Sequence, residues 1–188
     1  MLGLSVTNTP NFLTANFYEL LGLPQQFALD GGTLAQHWRD LQSQVHPDNF
    51  ANASEADKRL AMQVATRVNE AYQTLKQPLK RAQYLCEQHG VALGLENNTA
   101  MPPAFLMQQM EWRESLSALA AADSASQEAA LLALQNEVDQ DWQGQLAVLA
   151  GQLDIDKNYT AAAQTIRQLL FVEKFAQDVA TALEKIDA

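Results

Sequence analysis

At 188 residues, 47% of them hydrophobic and 18% charged, the chain holds enough apolar material for one or two modest cores and too much for a disordered segment. A formal net charge of −10 and a pI near 4.6 argue against a nucleic-acid surface, because that affinity rests on neutralising phosphates with Lys and Arg. The single cysteine, Cys86, rules out an internal disulfide and any multi-cysteine zinc site, and suits a reducing, cytoplasmic setting.

Residues 1–15 contain no Lys or Arg and no apolar run long enough for a signal peptide or a membrane helix, and read as a poorly ordered extension. Phe17, Tyr18, Leu20 and Leu21 then form a short apolar helix stopped by Gly22 and Pro24. Gly31-Gly32-Thr33 leads into a second helix, with Thr33 as its expected cap and Leu34, Trp38, Leu41 and Val45 recurring at helical spacing. Proline at 47 has no N–H to donate and pushes His46 out of helical geometry, so this helix ends at about His46, and Asp48 favours a turn. A third helix starts at Ser54 with Asp57 and carries Ala61, Val64, Val68, Ala71, Tyr72 and Leu75 on the facing stripe. The two long helices pair antiparallel and present His46, Pro47 and Asp48 together at one end.

The next helix begins at Pro78, runs through Leu79, Arg81, Ala82, Tyr84 and Leu85, and closes at His89-Gly90. Residues 91–102 lack periodicity and hold Gly94, Asn97, Asn98 and Pro102, which makes them a linker between a domain at 16–90 and another at 103–188. Three long amphipathic patterns follow, at about 103–122, 126–153 and 158–186. The second carries Leu131, Leu134, Val138, Trp142, Leu149 and Leu153. The third carries Ile166, Leu169, Leu170, Val172, Ala176, Ala180 and Leu183. Short connections between them predict an antiparallel three-helix bundle, so the fold class is all-α.

On a helical wheel Phe105, Trp112, Leu116 and Leu119 share the core arc of the first of these helices. Leu106, Met107 and Met110 fall on the other side beside Glu111 and Glu114, and Phe171 likewise falls outside the arc of the third helix. Such a strip either binds a partner or packs against the first domain, and wheel geometry does not separate the two.

The order Asn16-Phe17-Tyr18-Glu19-Leu20-Leu21-Gly22-Leu23, then Val45-His46-Pro47-Asp48, then Arg67-Val68-Asn69-Glu70-Ala71-Tyr72-Gln73-Thr74-Leu75 resembles a J-domain, the module that stimulates DnaK-type chaperone ATPases. From position 77 onward, Gln77-Pro78-Leu79-Lys80-Arg81-Ala82-Gln83-Tyr84-Leu85, His89-Gly90, Phe105 to Glu114, and Ala161-Ala162-Ala163 with Arg167 and Phe171 resemble the HscB type of J-protein. That resemblance implies an L-shaped molecule whose His46, Pro47 and Asp48 contact the chaperone HscA, with Arg39 the main remaining charge on the preceding helix. It further implies that Leu106, Met107, Met110, Glu111, Glu114 and Phe171 hold the iron–sulfur scaffold protein IscU. It implies no enzyme activity, no cofactor and no membrane. The chain departs from the usual pattern where Val45 replaces an aromatic, Asn49 stands where lysine is common, and Arg39 is nearly alone on its helix.

Other readings rest on fewer residues. Cys86 and His89 supply two potential metal ligands where four are usual, so ordinary packing is expected and no metal is assigned. His46 beside Asp48 has the makings of an acid–base pair, but on a protruding loop without a substrate pocket. His37 and the acidic run Glu137, Asp139 and Asp141 read as solvated faces, and Trp112 and Trp142 as core aromatics. A general J-protein with a merely structural or dimerising second domain is the alternative function, and a metal-carrying or catalytic helical protein is a third.

Overall fold

The computed structural model describes residues 9–50, 53–94, 101–119 and 124–186, and every regular element among them is helical. Two units divide between Leu85 and Cys86.

In the first unit, helix α1 (Thr9–Thr14) lies within the stretch expected to be an extension, while residues 1–8 lie outside the described residues. Helix α2 (Phe17–Leu20) is one turn long and is held by a reciprocal cap. Asn16 Oδ1 accepts from Glu19 N at 3.0 Å and Glu19 Oε2 accepts from Asn16 N at 3.0 Å. Gly22, at φ +63°, ends it in the left-handed region where a side chain would be strained. Burial of Phe17, Tyr18 and Leu20 compensates for its shortness, and Phe17 stacks on Tyr84 at 4.5 Å while its N–H donates to the Tyr84 hydroxyl at 3.0 Å.

Helix α3 (Gly31–Val45) begins earlier than the expected cap at Thr33. Asp30 is the cap, its Oδ2 accepting from Thr33 N at 2.6 Å, and those hydrogen bonds hold its carboxyl below the usual carboxylate value. His37 is not fully solvated. It is half-buried with Nδ1 2.8 Å from the Leu21 carbonyl, and because a carbonyl only accepts, Nδ1 carries the proton and pins α3 to the end of α2.

Helix α4 (Glu55–Lys76) starts at Ser54, whose Oγ accepts from Asp57 N at 3.2 Å as the Ser54/Asp57 pairing predicts. Ala61, Val64, Val68, Ala71 and Leu75 are buried along it. Trp38 locks the hairpin: its indole N–H donates to Asn69 Oδ1 at 3.0 Å and its ring stacks on Tyr72 at 4.5 Å. From α5 (Pro78–Gln88), Leu79, Ala82 and Leu85 complete this core.

The second unit contains α6 (Pro103–Leu119), α7 (Ser124–Ala150) and α8 (Tyr159–Glu184). Phe105 meets Phe171 and Trp112 meets Phe175, so α6 and α8 run parallel. Trp112 reaches Glu137 on α7, and Gln152 beyond α7 reaches Thr165 on α8, so α7 is antiparallel to both in an up-down-up bundle. The end of α7 widens into a π-helical turn, Gly151–Ile155, in which Asp156 N donates to Gly151 O at 2.9 Å; the expected plain helix to Leu153 stops earlier.

Trp112, Leu131, Leu134, Val138, Val172, Phe175 and Val179 form one buried cluster, with Phe105, Leu116, Leu119 and Trp142 half-buried against it. Ala176, Ala180, Leu170 and Leu183, expected on the α8 stripe, are only half-buried, and Phe175 and Val179 take the centre. A helix packed against two neighbours buries a wider arc than one stripe, which brings Phe175 in beside Ala176. Glu137 also differs from a purely solvated face, since it accepts from the Trp112 indole N–H at 2.7 Å. Asp141 is half-buried, and desolvation raises its carboxyl pKa.

Phe175 is buried to 1% exposure and stacks on Trp112 at 5.4 Å, so Phe175→Ala is expected to cost about 3–5 kcal/mol in urea unfolding. A loss below about 1 kcal/mol would show that this face is not core.

Candidate functional sites

The first site is the turn that joins α3 to α4. Proline has no N–H and disfavours helical backbone in the residue before it, so His46 leaves the helix at φ −59°, ψ 133°, and Pro47–Phe50 form a single 3₁₀ turn. His46 and Asp48 project into solvent, their side chains 52% and 89% exposed, with His46 Nδ1 3.5 Å from Asp48 Oδ2. Asp48 N lies 3.3 Å from the same Nδ1. A neutral ring with a free Nδ1 lone pair accepts from that N–H, whereas a protonated ring offers Nδ1–H to the carboxylate. Exposure at this level suits a contact surface.

Asn49 ties the turn back to the helix. Its Nδ2 donates to Ser43 O at 2.8 Å and to Gln44 O at 3.3 Å, and its backbone N donates to His46 O at 3.0 Å. In the sequence Asn49 reads only as a missing positive charge. The signal was present in the tendency of Asn side chains to bond nearby backbone where a helix stops.

Arg39 is exposed on α3, seven residues before His46, which places it about 10 Å along the axis on nearly the same helix face. Its Nη2 donates to Gln36 Oε1 at 3.0 Å, and Gln36 in turn donates to Asp40 at 2.8 Å. Lys58, at the start of α4, is paired with Glu55 at 2.9 Å. Arg59, also on the first turn of α4, is exposed and donates to Glu55 O at 3.2 Å, so the cations near the turn are few and Arg39 is the one that α3 contributes.

The second site lies on α6 and α8. Leu106, Met107, Met110 and Phe171 are 47%, 62%, 61% and 44% exposed, a level of apolar exposure that the buried cluster beneath them does not require. Phe171 of α8 packs edge-on against Phe105 of α6 at 6.3 Å, which places its exposed ring at the seam between the two helices. Glu111 and Glu114 are exposed on the same side of α6 and supply carboxylates to the strip, while Arg113, about 100° round the helix from Glu114, is exposed at its opposite margin. A mostly apolar floor with an acidic edge favours a partner that is apolar at its centre and basic at its margin.

Cys86 and His89 are occupied by packing. Cys86 is buried with Sγ 3.7 Å from Tyr159 O, and the His89 ring stacks on Tyr159 at 3.9 Å. Among the described residues no group of three or more His, Cys, Asp or Glu side chains is placed to hold a metal ion. No described helix is long and apolar enough to cross a membrane.

Burial pushes the Cys86 thiol from an ordinary value near 9 up to about 11. At pH 8 the folded protein then holds this thiol protonated, and alkylation is expected only as the chain unfolds. The thiolate is favoured in the unfolded chain, so this residue's contribution to stability is intact below pH 9 and is lost as pH rises toward 11. Rapid labelling of the native protein at pH 8 would contradict the placement.

Comparison with known proteins matches both units. A DnaJ domain family model matches residues 16–84, and a model described as the HSCB C-terminal oligomerisation domain matches residues 101–180. The chain is similar to a "Co-chaperone protein HscB homolog" of Paraburkholderia xenovorans, 49% identical over 175 residues and covering 93% of this chain and 98% of the relative. A protein of the same description from Ralstonia nicotianae is 49% identical over 178 residues, with 94% and 99% covered. Among solved structures, the chaperone HscB from Vibrio cholerae superposes with a TM-score of 0.79 at 44% identity, covering 91% of this chain and 99% of that one. The human co-chaperone protein HscB gives a TM-score of 0.81 at 27% identity, covering 93% and 84%.

Proposed function

The chain belongs to the HscB family of J-domain co-chaperones, and from that premise we propose that it brings an iron–sulfur scaffold protein of the IscU type to a dedicated DnaK-type chaperone, HscA, and stimulates that chaperone's ATPase. In this reading residues 16–90 act on the chaperone, 91–102 link, and 103–188 hold the client, all in the cytoplasm. The protein performs no bond chemistry of its own. His46, Pro47 and Asp48 engage the ATPase partner with Arg39 adding charge, while Leu106, Met107, Met110 and Phe171 anchor the scaffold inside the Glu111 and Glu114 rim.

The observation that carries the reading is the exposure of the four apolar anchors, from 44% to 62%, on helices whose core is already filled. Interface energy concentrates in a few such anchors, and methionine adapts to an irregular partner surface. Holding client and ATPase contacts on one chain turns the second encounter into a local one at raised effective concentration, so neither contact has to be tight. The second family model is that of an oligomerisation domain, which favours a second reading in which the same patch meets another copy of the chain.

One set of variants tests both sites. His46→Ala or Asp48→Ala should leave stability within about ±0.5 kcal/mol, since both side chains are solvent-exposed, and should abolish ATPase stimulation. Leu106→Ala, Met110→Ala and Phe171→Ala combined should stay folded, each costing less than the roughly 2–5 kcal/mol of a buried truncation, keep basal stimulation and lose scaffold binding in calorimetric titration. Wild-type stimulation by the loop variants, or scaffold binding at wild-type affinity by the triple variant, would remove the corresponding assignment. A wild-type dimer that the triple variant dissolves, with no scaffold affinity, would establish the second reading.

A further inference from the structure

We propose that Asn49 is the positioning residue of the chaperone-contacting turn, capping α3 so that His46 and Asp48 are held in their working arrangement before a partner arrives. The inference rests on the reading of the turn given above and concerns a residue that reading leaves without a role.

The end of α3 poses a definite problem. A helix leaves its last four carbonyls without intrahelical donors, and the usual remedy, a glycine in left-handed geometry followed by two N–H groups, is closed here because proline follows the cap. Asn49 supplies the donors from the far side of the turn. Its carboxamide reaches Ser43 O and Gln44 O at 2.8 and 3.3 Å, and its N–H reaches His46 O at 3.0 Å. One residue thus binds three points of the helix end and folds the turn back on itself, with Asp48 its immediate neighbour and His46 one of the anchored residues.

Asn49 is itself exposed, so replacing it opens no cavity, and the change falls on the turn alone. The placement matters because Arg39 is a sparse source of attraction and Lys58 is already paired with Glu55. Weak steering leaves affinity dependent on how little ordering the encounter requires, and a turn ordered in advance reduces that cost. A lysine at this position would add charge to the encounter; asparagine spends its donors inside the chain.

Preorganisation of a binding surface alters half-saturation and leaves the rate at saturation alone. Titrating the full-length protein into the chaperone ATPase should show that Asn49→Leu, neutral and similar in size but without donors, raises the half-maximal concentration about fivefold, the ratio to which roughly 1 kcal/mol converts. The maximal rate and helix content should match wild type. The fivefold ratio should persist from low to high salt, whereas the smaller defect of Arg39→Gln should shrink as salt screens it. If Asn49→Leu does not fold, Asn49→Ala replaces it, and the residue-49 backbone amide, corrected for sequence, should exchange faster than in wild type. Wild-type half-saturation, a fall in maximal rate alone, or a defect that disappears in high salt would each overturn the proposal. If His46→Ala still stimulates, the reading of the turn falls; if His46→Ala is inactive while Asn49→Leu is normal, only the role of Asn49 falls.

Discussion

Pro47 cannot give α3 another hydrogen bond and does not tolerate a helical residue before it, so the helix must stop at Val45 with its final carbonyls facing outward. The arrangement of the turn between α3 and α4 follows from that stop. His46 turns into extended backbone, the chain makes one 3₁₀ turn, and Ser54 restarts it as α4 with its side chain on Asp57 N. The hairpin beneath has to be rigid for such a turn to hold a fixed place, and rigidity comes from the Trp38 indole on Asn69 and Tyr72, and from Arg67, whose guanidinium donates to Ala15 O at 2.7 Å and lies over the Phe17 ring. The short helix α2 and the tyrosine of α5 close the other side through the Phe17 and Tyr84 stack.

The second unit follows from a different constraint. Each helix of a three-helix bundle can bury only the arc that faces its two neighbours. On α6 that arc is taken by Phe105, Gln109, Trp112 and Leu116, and on α8 by Ile166, Leu169, Val172, Phe175 and Val179. Leu106, Met107, Met110 and Phe171 are then surplus to the bundle. The acidic rim and the net negative charge keep the surface around them solvated. Gln109 is the unusual member of the arc: its carboxamide is buried, and neither its nitrogen nor its oxygen finds a partner among the described residues.

Periodicity made the helices, their pairing and most of the core legible, because each stripe repeats over several turns and errors average out. The α6 arc and the apolar residues outside it could be read from the wheel alone, and the structure leaves those outside residues exposed. Details decided by a single hydrogen bond were not legible. Asp30 and Thr33 are both good caps three residues apart, and only the folded geometry shows that Asp30 accepts from Thr33. His37 looked solvated because its partner, the Leu21 carbonyl, lies sixteen residues away. Asn49 reads as a lost charge until the turn closes and its amide meets Ser43 and Gln44. The π turn at Gly151–Ile155 has no periodic signature at all. The roles given to the two surfaces come from the family resemblance together with exposure, since periodicity reports what a core leaves out and not what covers it.

Under the proposed function one chain must carry both surfaces, so that client and ATPase meet on the same molecule. Mixing two variants tests this directly: His46→Ala, with an intact patch, and the Leu106, Met110 and Phe171 triple alanine variant, with an intact turn, each added to chaperone and scaffold at concentrations where wild type gives more stimulation than the protein and scaffold do separately. The mixture should give no more stimulation than the triple variant and the scaffold give separately, because local concentration is lost when the surfaces sit on different chains. Recovery of the full wild-type stimulation by the mixture would contradict it.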